Sequence, residues 1–249
     1  MIKLYKKSLL LFVLLWVSLS NATTIVLIRN ENGVFIGADS RIVNERGQSL
    51  GSECKITRFK NIYFVHAGLG SDALYGFDIQ DIAKQAFSSK NSLDEKVRNF
   101  ENTLKSQYKE YLEKIRTARS EVYFRIKSGT LNIEAAIAGQ NTDGAFFKAF
   151  KFSAEGPDDD IKISMPVQYS CPGDCQGGKV VAMLGQMSHT QEIVARRAHR
   201  MMRDPISAIN FIINREIDYN PRVGPPITIL HIGHDTTQWI QHSDFCREH

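Results

Sequence analysis

The order of secondary-structure signals along the chain predicts an α+β fold of four layers, an αββα sandwich in which two antiparallel sheets lie between two helical layers. Three observations predict it. Strand signals cluster before residue 70, two helix pairs carry N-terminal capping residues, and each pair is followed by further strand-like runs. No internal repeat, linker or low-complexity tract interrupts the pattern, so one domain is expected.

Apolar runs from Thr24 to Asn30 and from Val34 to Ala38 flank the turn signal Asn32-Gly33 and read as a hairpin. Lys55 to Phe59 and Ile62 to His66 read as a second strand pair, followed by an amphipathic helix from about Ser71 to Phe87. Ser92 and Glu95 form a capping-box pattern, and Leu93, Val97, Phe100, Leu104, Tyr108, Leu112 and Ile115 recur at helical spacing. Strand-like runs then cover Val122 to Lys127, Leu131 to Ala138, Phe146 to Phe152, Ile161 to Tyr169 and Val180 to Leu184. Helices are expected from His189 to Met202 and from Asp204 to Ile217, the latter with Asp204 as N-cap and Pro205 in its first turn. Ile227 to Ile232 and Gln238 to Gln241 close the chain as strands.

The first 22 residues have the organisation of a secretory signal peptide: Lys3, Lys6 and Lys7, then an apolar run from Leu9 to Val17, then the small residues Ser20 and Ala22. The apolar run is too short for a comfortable membrane span. Cleavage after Ala22 is therefore expected, leaving a domain of residues 23–249 in a secreted or periplasmic location, without a stable membrane anchor. The full chain carries 31 basic and 27 acidic side chains; without the three leader lysines the balance is 28 against 27. That near-neutrality, with charges interspersed from Asp94 to Arg119, gives no basic patch for nucleic acid.

Cys54, Cys171, Cys175 and Cys246 make an even set, which in an oxidising compartment suggests two disulfides with three available connectivities. Pro and Gly in the loop Cys171-Pro-Gly-Asp-Cys175 favour a local bridge there, leaving Cys54 with Cys246. No metal is expected: a single Cys-x₃-Cys pair is a weak zinc pattern, and His231 and His234 alternate as strand and turn residues. The glycines 173, 177 and 178 lack the Lys-Ser/Thr ending of a phosphate loop, and no cofactor is expected.

Cleavage after Ala22 would make Thr23 the first residue, placing a hydroxyl and a free α-amine on one residue. Such an amine, with an ordinary pKa of about 8, can take the hydroxyl proton near neutrality, so one residue supplies nucleophile and base. The hairpin carries Asp39 to the end of the second strand, beside the start of the first. Lys55, near that carboxylate, would lower the proton affinity of the threonine hydroxyl. Ala67-Gly68-Leu69-Gly70 supplies a glycine turn where a backbone N–H can face a developing oxyanion.

On these residues the chain resembles the proteasome β-type family, including the HslV peptidase, whose members are N-terminal-threonine (Ntn) hydrolases. Without gaps from Thr23, Asp39 and Lys55 fall on that family's catalytic aspartate and lysine, and Arg41 on the residue that follows the aspartate motif. After a one-residue shortening, Gly68 falls on the oxyanion glycine and Asp72 on the acid of the family's Ala-Gly-x-x-Ala-Asp motif. Ile137-Ala138-Gly139 with Asp143-Gly144 resembles its central hairpin, and Leu184 to Ser188 its Gly-Ser-Gly-Ser turn. Gln186 and Pro221 depart from serines of the pattern, whereas Ser188 and Asp218 match it.

The resemblance implies a threonine-type endopeptidase that cleaves a peptide or protein substrate through an acyl-enzyme on Thr23, with Ser188 and Asp218 orienting the amine. It also implies a homo-oligomer, as a ring. Ile42, Glu53, Thr57, His66 and Gly70 fall on the pocket that receives the side chain before the scissile bond, where Glu53 would favour a basic residue. A small-molecule amidase on the same fold, and a non-catalytic subunit or binding module, are the alternative functions; the preserved Thr23, Asp39 and Lys55 argue against the last.

Overall fold

The computed structural model describes residues 20–21, 23–43, 48–175, 179–242 and 244–246. The expected leader therefore lies outside the described residues except at 20–21. The first half of the chain forms β1 (Ser20–Asn21), β2 (Thr24–Asn30), β3 (Gly33–Ala38), β4 (Arg41–Val43), β5 (Ser49–Ser52), β6 (Thr57–Phe59), β7 (Ile62–Leu69), β8 (Ser71–Asp72) and β9 (Phe77–Asp78), then helices α1 (Ile79–Phe87), α2 (Leu93–Ala118) and α3 (Ser120–Lys127). The second half forms β10 (Ile133–Asn141), β11 (Gly144–Glu155), β12 (Lys162–Ser164), β13 (Val167–Cys171), β14 (Val180–Gly185), α4 (Gln191–Met201), α5 (Pro205–Tyr219), β15 (Thr228–Ile232) and β16 (Thr237–Gln241). The chain is thus α+β, with antiparallel strand pairing throughout its two main sheets.

Among the described residues one sheet runs β1-β7-β10-β11-β12, with β6 also paired to β7 and β13 to β11. The second runs β14-β2-β3-β15-β16. Side chains alternate across a strand, so a strand buried on both faces feeds two cores. In β2 and β3, Ile25, Leu27, Val34 and Ile36 join a cluster with Tyr63, Val65, Ala136, Ala138 and Phe147 of the other sheet. The intervening Val26, Ile28 and Phe35 join Ile209, Ile212 and Ile213 of α5 in a separate cluster. On the far side of the first sheet, Phe64, Ile133, Ile137, Phe150 and Phe152 pack with Phe100, Leu104, Tyr108, Tyr111 and Ile115 of α2.

The elements depart from the sequence expectation in five places. Residues 71–78, expected as the start of a helix, form the β8–β9 pair around a 3-10 turn at Ala73–Tyr75. The helix starts at Ile79 because Asp78 is the effective N-cap, its carboxylate accepting from the N–H groups of Gln80 and Asp81. Val122 to Lys127, expected as a strand, is helix α3: Val122 and Ile126, four apart, are buried together in the cluster under α2, a spacing that an apolar run of this length leaves ambiguous. Lys55 and Ile56 precede β6 rather than belonging to it, and an unexpected hairpin pairs β4 with β5. Residues 161–169 are divided between β12 and β13. Asp72, buried at the start of the 3-10 turn, accepts from Tyr111 Oη (3.1 Å) and Arg119 Nη1 (3.0 Å), tying that turn to the α2–α3 junction.

Gly37 lets α5 approach β3, since a Cβ at that position would collide with Ile209 Cγ2. Gly37→Ala should therefore lower unfolding stability by about 1–3 kcal/mol through overpacking. In a denaturant double-mutant cycle with Ile209→Ala, which removes the Cγ2 methyl that the new Cβ would meet, the combined loss should fall short of the sum of the single losses. Strictly additive losses would show that the two positions do not meet.

Candidate active site

The β2–β3 register pairs Ile25 with Ala38, so the residues just before β2 lie opposite the end of β3. This brings Asp39 beside Thr23 and Thr24, and its backbone N–H donates to the Thr24 carbonyl (3.2 Å). The Asp39 carboxylate is fully enclosed and collects four donors. Oδ1 accepts from Thr24 N (2.9 Å) and Lys55 Nζ (3.3 Å), and Oδ2 from Arg41 N (3.2 Å) and Gly224 N (3.1 Å).

Lys55 Nζ donates to Thr23 Oγ1 (2.8 Å), Asp39 Oδ1 and the Arg41 carbonyl (2.7 Å). An ammonium group has three hydrogens, and here each has an acceptor. Burial pushes the Lys55 pKa down, while the Asp39 charge opposes the shift. Burial likewise pushes Asp39 up, and Lys55 with the backbone donors of Thr24 and Gly224 pulls it back. The pair holds a positive hydrogen-bond donor against the Thr23 hydroxyl, an arrangement that favours the alkoxide form of that oxygen.

The other side of Thr23 is set by the segment after β14. Gln186 N donates to the Thr23 carbonyl (2.9 Å), and Thr24 Oγ1 donates to the Gln186 carbonyl (2.7 Å). Gly185 has φ +83°, and a Cβ there would collide with the Thr23 carbonyl oxygen, so glycine is required where the two strands close up. Its N–H donates to Glu134 Oε2 (2.6 Å), and the Gln186 amide oxygen accepts from Asn220 Nδ2 (3.2 Å).

Neither Ser188 nor Asp218 reaches Thr23 through a hydrogen bond among the described residues, which corrects their expected role in orienting the amine. Ser188 lies exposed in the turn before α4, and Asp218 on the exposed side of α5. Two positions earlier on α5, about 200° around the helix, Glu216 faces inward. Its Oε1 accepts from His189 N (3.0 Å) and Thr190 Oγ1 (2.7 Å), anchoring the turn that follows Gln186.

Gly68 lies in β7 with φ +89°, where a Cβ would collide with the Asn132 carbonyl oxygen. Together with Ala67, Asn132, Glu134, Gly185 and Gln186 it lines a cavity of about 150 Å³. Four of the five expected pocket residues, Glu53, Thr57, His66 and Gly70, line a second cavity of about 330 Å³ that also touches Lys55, Asp78 and Gln80. Ile42 does not: it lies in β4, paired with Gly51 of β5, which corrects its placement. Burial and the Lys55 charge push His66 down to about 4, so the ring is neutral near pH 7. Its Nδ1 lies 3.2 Å from Gln80 Nε2, which as an amide nitrogen is the donor.

Cys54 is bonded to Cys246 and Cys171 to Cys175. The first bridge fastens the 3-10 turn Asp244–Cys246 to the residue immediately before Lys55. Sequence reasoning missed Gly224, Asn220, Glu134, Asp78 and Gln80. All are brought to the site by long-range pairing, and only the Asp78 N-cap had a local signal.

No family model matches the chain, and no curated protein sequence matches it. Among solved structures it is similar to an Anbu (Gly-1) mutant from Hyphomicrobium sp. strain MC1, with a TM-score of 0.54 and 14% identity, over 88% of this chain and 85% of that one. Anbu (ancestral beta-subunit) from Yersinia bercovieri gives a TM-score of 0.48 and 14% identity over 87% and 86% of the two chains. At this identity the first likeness is one of fold. It corrects the expected membership of the proteasome β-type and HslV group: no family model matches, and the similar structure with a TM-score of 0.54 is an Anbu chain.

Asp39→Asn places an amide nitrogen among four donors and strips Lys55 of its charge partner. The variant should lose about 3–5 kcal/mol of stability, the usual cost of breaking a buried pair. Thermal and denaturant unfolding measure it. A melting temperature equal to the parent's would show that Asp39 is not held as a carboxylate.

Proposed function

We propose that the processed chain is a threonine-type endopeptidase, hydrolysing amide bonds through Thr23. The observation that carries this reading is the 2.8 Å hydrogen bond from the buried Lys55 ammonium to the Thr23 hydroxyl, with Asp39 behind the lysine. Once Thr23 is the first residue, its α-amine takes the Oγ1 proton, directly or through one water, and Oγ1 attacks the substrate carbonyl. Lys55 holds the oxygen in its reactive form and the Gly68 N–H receives the oxyanion. Collapse expels the leaving amine, which takes the proton from the α-amine and leaves an ester on Thr23. Water then adds to the ester by the same route, releasing the acid and restoring the hydroxyl. Gln186, whose N–H fixes the Thr23 carbonyl, orients the residue in this reading; Ser188 and Asp218 have no part in it.

Residues 1–22 act as a leader that signal peptidase removes, and 23–249 as a single four-layer αββα domain. The three apolar clusters, between the sheets and outside each of them, support that layering. Ser20 and Asn21 pair antiparallel with Leu69 and Gly68 on the edge of β7. Their removal would free that edge for an extended substrate backbone. Secretion or periplasmic residence is supported by the two disulfides, and among the described residues no helix is long and apolar enough to cross a membrane. Assembly of several copies, as a ring, is part of the reading. The exposed Phe124, Phe211 and Tyr219 support it.

Mass spectrometry of exported protein should find Thr23 first, and Thr23→Ala should abolish hydrolysis of fluorogenic peptides in a chain that still folds, destabilised by no more than about 1–3 kcal/mol, the cost of the one Lys55 N–H left without an acceptor. An N-terminus elsewhere, or an active Thr23→Ala chain, would end the proposal. Turnover of N-acyl small molecules with no peptide cleavage would replace the peptidase by an amidase.

Lys55→Ala should lower kcat/KM by about 100-fold or more, the scale of a lost preorganised donor. The pH profile of the parent should be bell-shaped. Its acid limb is loss of a proton from the α-amine, which must be neutral to act as base. Its alkaline limb is loss of the Lys55 proton, and because burial lowers that pKa, it should fall below the ordinary lysine range. Activity still rising through that range would refute a charged lysine as the working form.

A further inference from the structure

We infer that the cavity bounded by Glu53, Asp78 and Gln80 is a recognition site for a cationic side chain, best matched by a guanidinium, on the substrate residue whose carbonyl Thr23 attacks. The assignment of that residue rests on the proposed role of Thr23; the cation site itself does not.

Position comes first. The cavity reaches Lys55, and Lys55 Nζ touches Thr23 Oγ1, so a side chain branching from an amide held at Thr23 has this space beside it. Its volume, about 330 Å³, falls at the small end of ligand pockets.

The lining is rich in acceptors with nothing to accept. The half-buried Glu53 carboxylate has no hydrogen bond or ion pair with another described residue. Asp78 uses Oδ1 to cap α1, through Gln80 N (2.8 Å) and Asp81 N (3.1 Å), and its other oxygen has no partner among the described residues. Gln80 Oε1 is buried and has no hydrogen bond among the described residues, its Nε2 being turned to His66. A buried polar atom without a partner costs about 1–3 kcal/mol, so such an atom in a cavity wall marks a missing donor.

The positive charge already present acts on Glu53 through space but gives these acceptors no hydrogen. The three hydrogens of Lys55 are committed to Thr23, Asp39 and Arg41, and His66 is neutral. Burial pushes both Glu53 and Asp78 up; at Glu53 the Lys55 charge opposes the shift, while the Asp39 and Asp78 charges add to it. A cation between them would favour the charged form of both carboxylates. An apolar side chain would desolvate both without compensation, and an acidic one would add a third negative charge. A guanidinium offers five N–H donors in a fixed fork to acceptors spread over Glu53, Asp78 and Gln80, whereas an ammonium offers three from one point.

The test uses chain beginning at Thr23 and fluorogenic peptides that differ only in the residue before the scissile bond: Arg, Lys, Leu or Glu. The Arg-to-Leu ratio of kcat/KM should be about tenfold or more, with Lys between them and Glu lowest, and should collapse towards one in Glu53→Gln/Asp78→Asn. Asn retains the N-cap, so the double variant should keep its melting temperature. A ratio at or below one in the parent, or one unchanged in the double variant, would overturn the proposal. A second measurement needs no turnover: calorimetry of benzamidine with the Thr23→Ala chain should show binding that the Glu53→Gln/Asp78→Asn changes remove. Binding without any peptide cleavage by the parent would keep the cation site and discard Thr23 as nucleophile. Cleavage of peptides with no benzamidine binding would do the reverse.

Discussion

A fully buried carboxylate beside a buried ammonium is the constraint around which this molecule is arranged. Neither charge would survive alone, since moving an ion into a poorly polarisable interior costs several kcal/mol even after relaxation. The fold answers by surrounding Asp39 with three backbone N–H groups in addition to Lys55, drawn from β2, the start of β4 and the segment before β15. Those donors come from backbone that must be in register, so the sheet containing β2, β3 and β15 is as much a device for holding one charge as a platform for the core. Lys55 in turn has nowhere to direct its third hydrogen except the Thr23 hydroxyl. The hydrogen bond to Thr23 is therefore a by-product of satisfying the pair.

The same logic explains why glycines stand where they do. At Gly185 a side chain would strike the Thr23 carbonyl, and at Gly224 it would strike the Arg41 guanidinium. Each marks a place where a third segment has to come within backbone distance of the charge pair or of the residue it serves.

Much of this could be read in the sequence, for a definite reason. Thr23, Asp39 and Lys55 depend on one hairpin and a short stretch after it, where turn chemistry and strand alternation fix the geometry locally. Ser188 and Asp218 were misplaced because their positions depend on how a turn and a helix end rotate, which neither spacing nor composition specifies. A two-residue step on α5 exchanges buried Glu216 for exposed Asp218. The run at 122–127 was misread because six residues carrying Val, Tyr, Phe and Ile satisfy strand composition and helical spacing together, and packing under α2 decides between them. Gln80 and Asn220 gave no signal at all; an amide is informative only once its partner is known.

The bridge between Cys54 and Cys246 spans 192 residues, and it has a consequence for the order in which the protein is made. A chain emerging from its N-terminus presents Thr23, Asp39 and Lys55 early, but the Gly224 donor to Asp39 arrives only after α5, and the cysteine that fastens the segment before Lys55 only after β16. Until then the carboxylate lacks a donor and the lysine lacks its tether. The site is thus completed late, and the 3-10 turn Asp244–Cys246 acts as its closing latch.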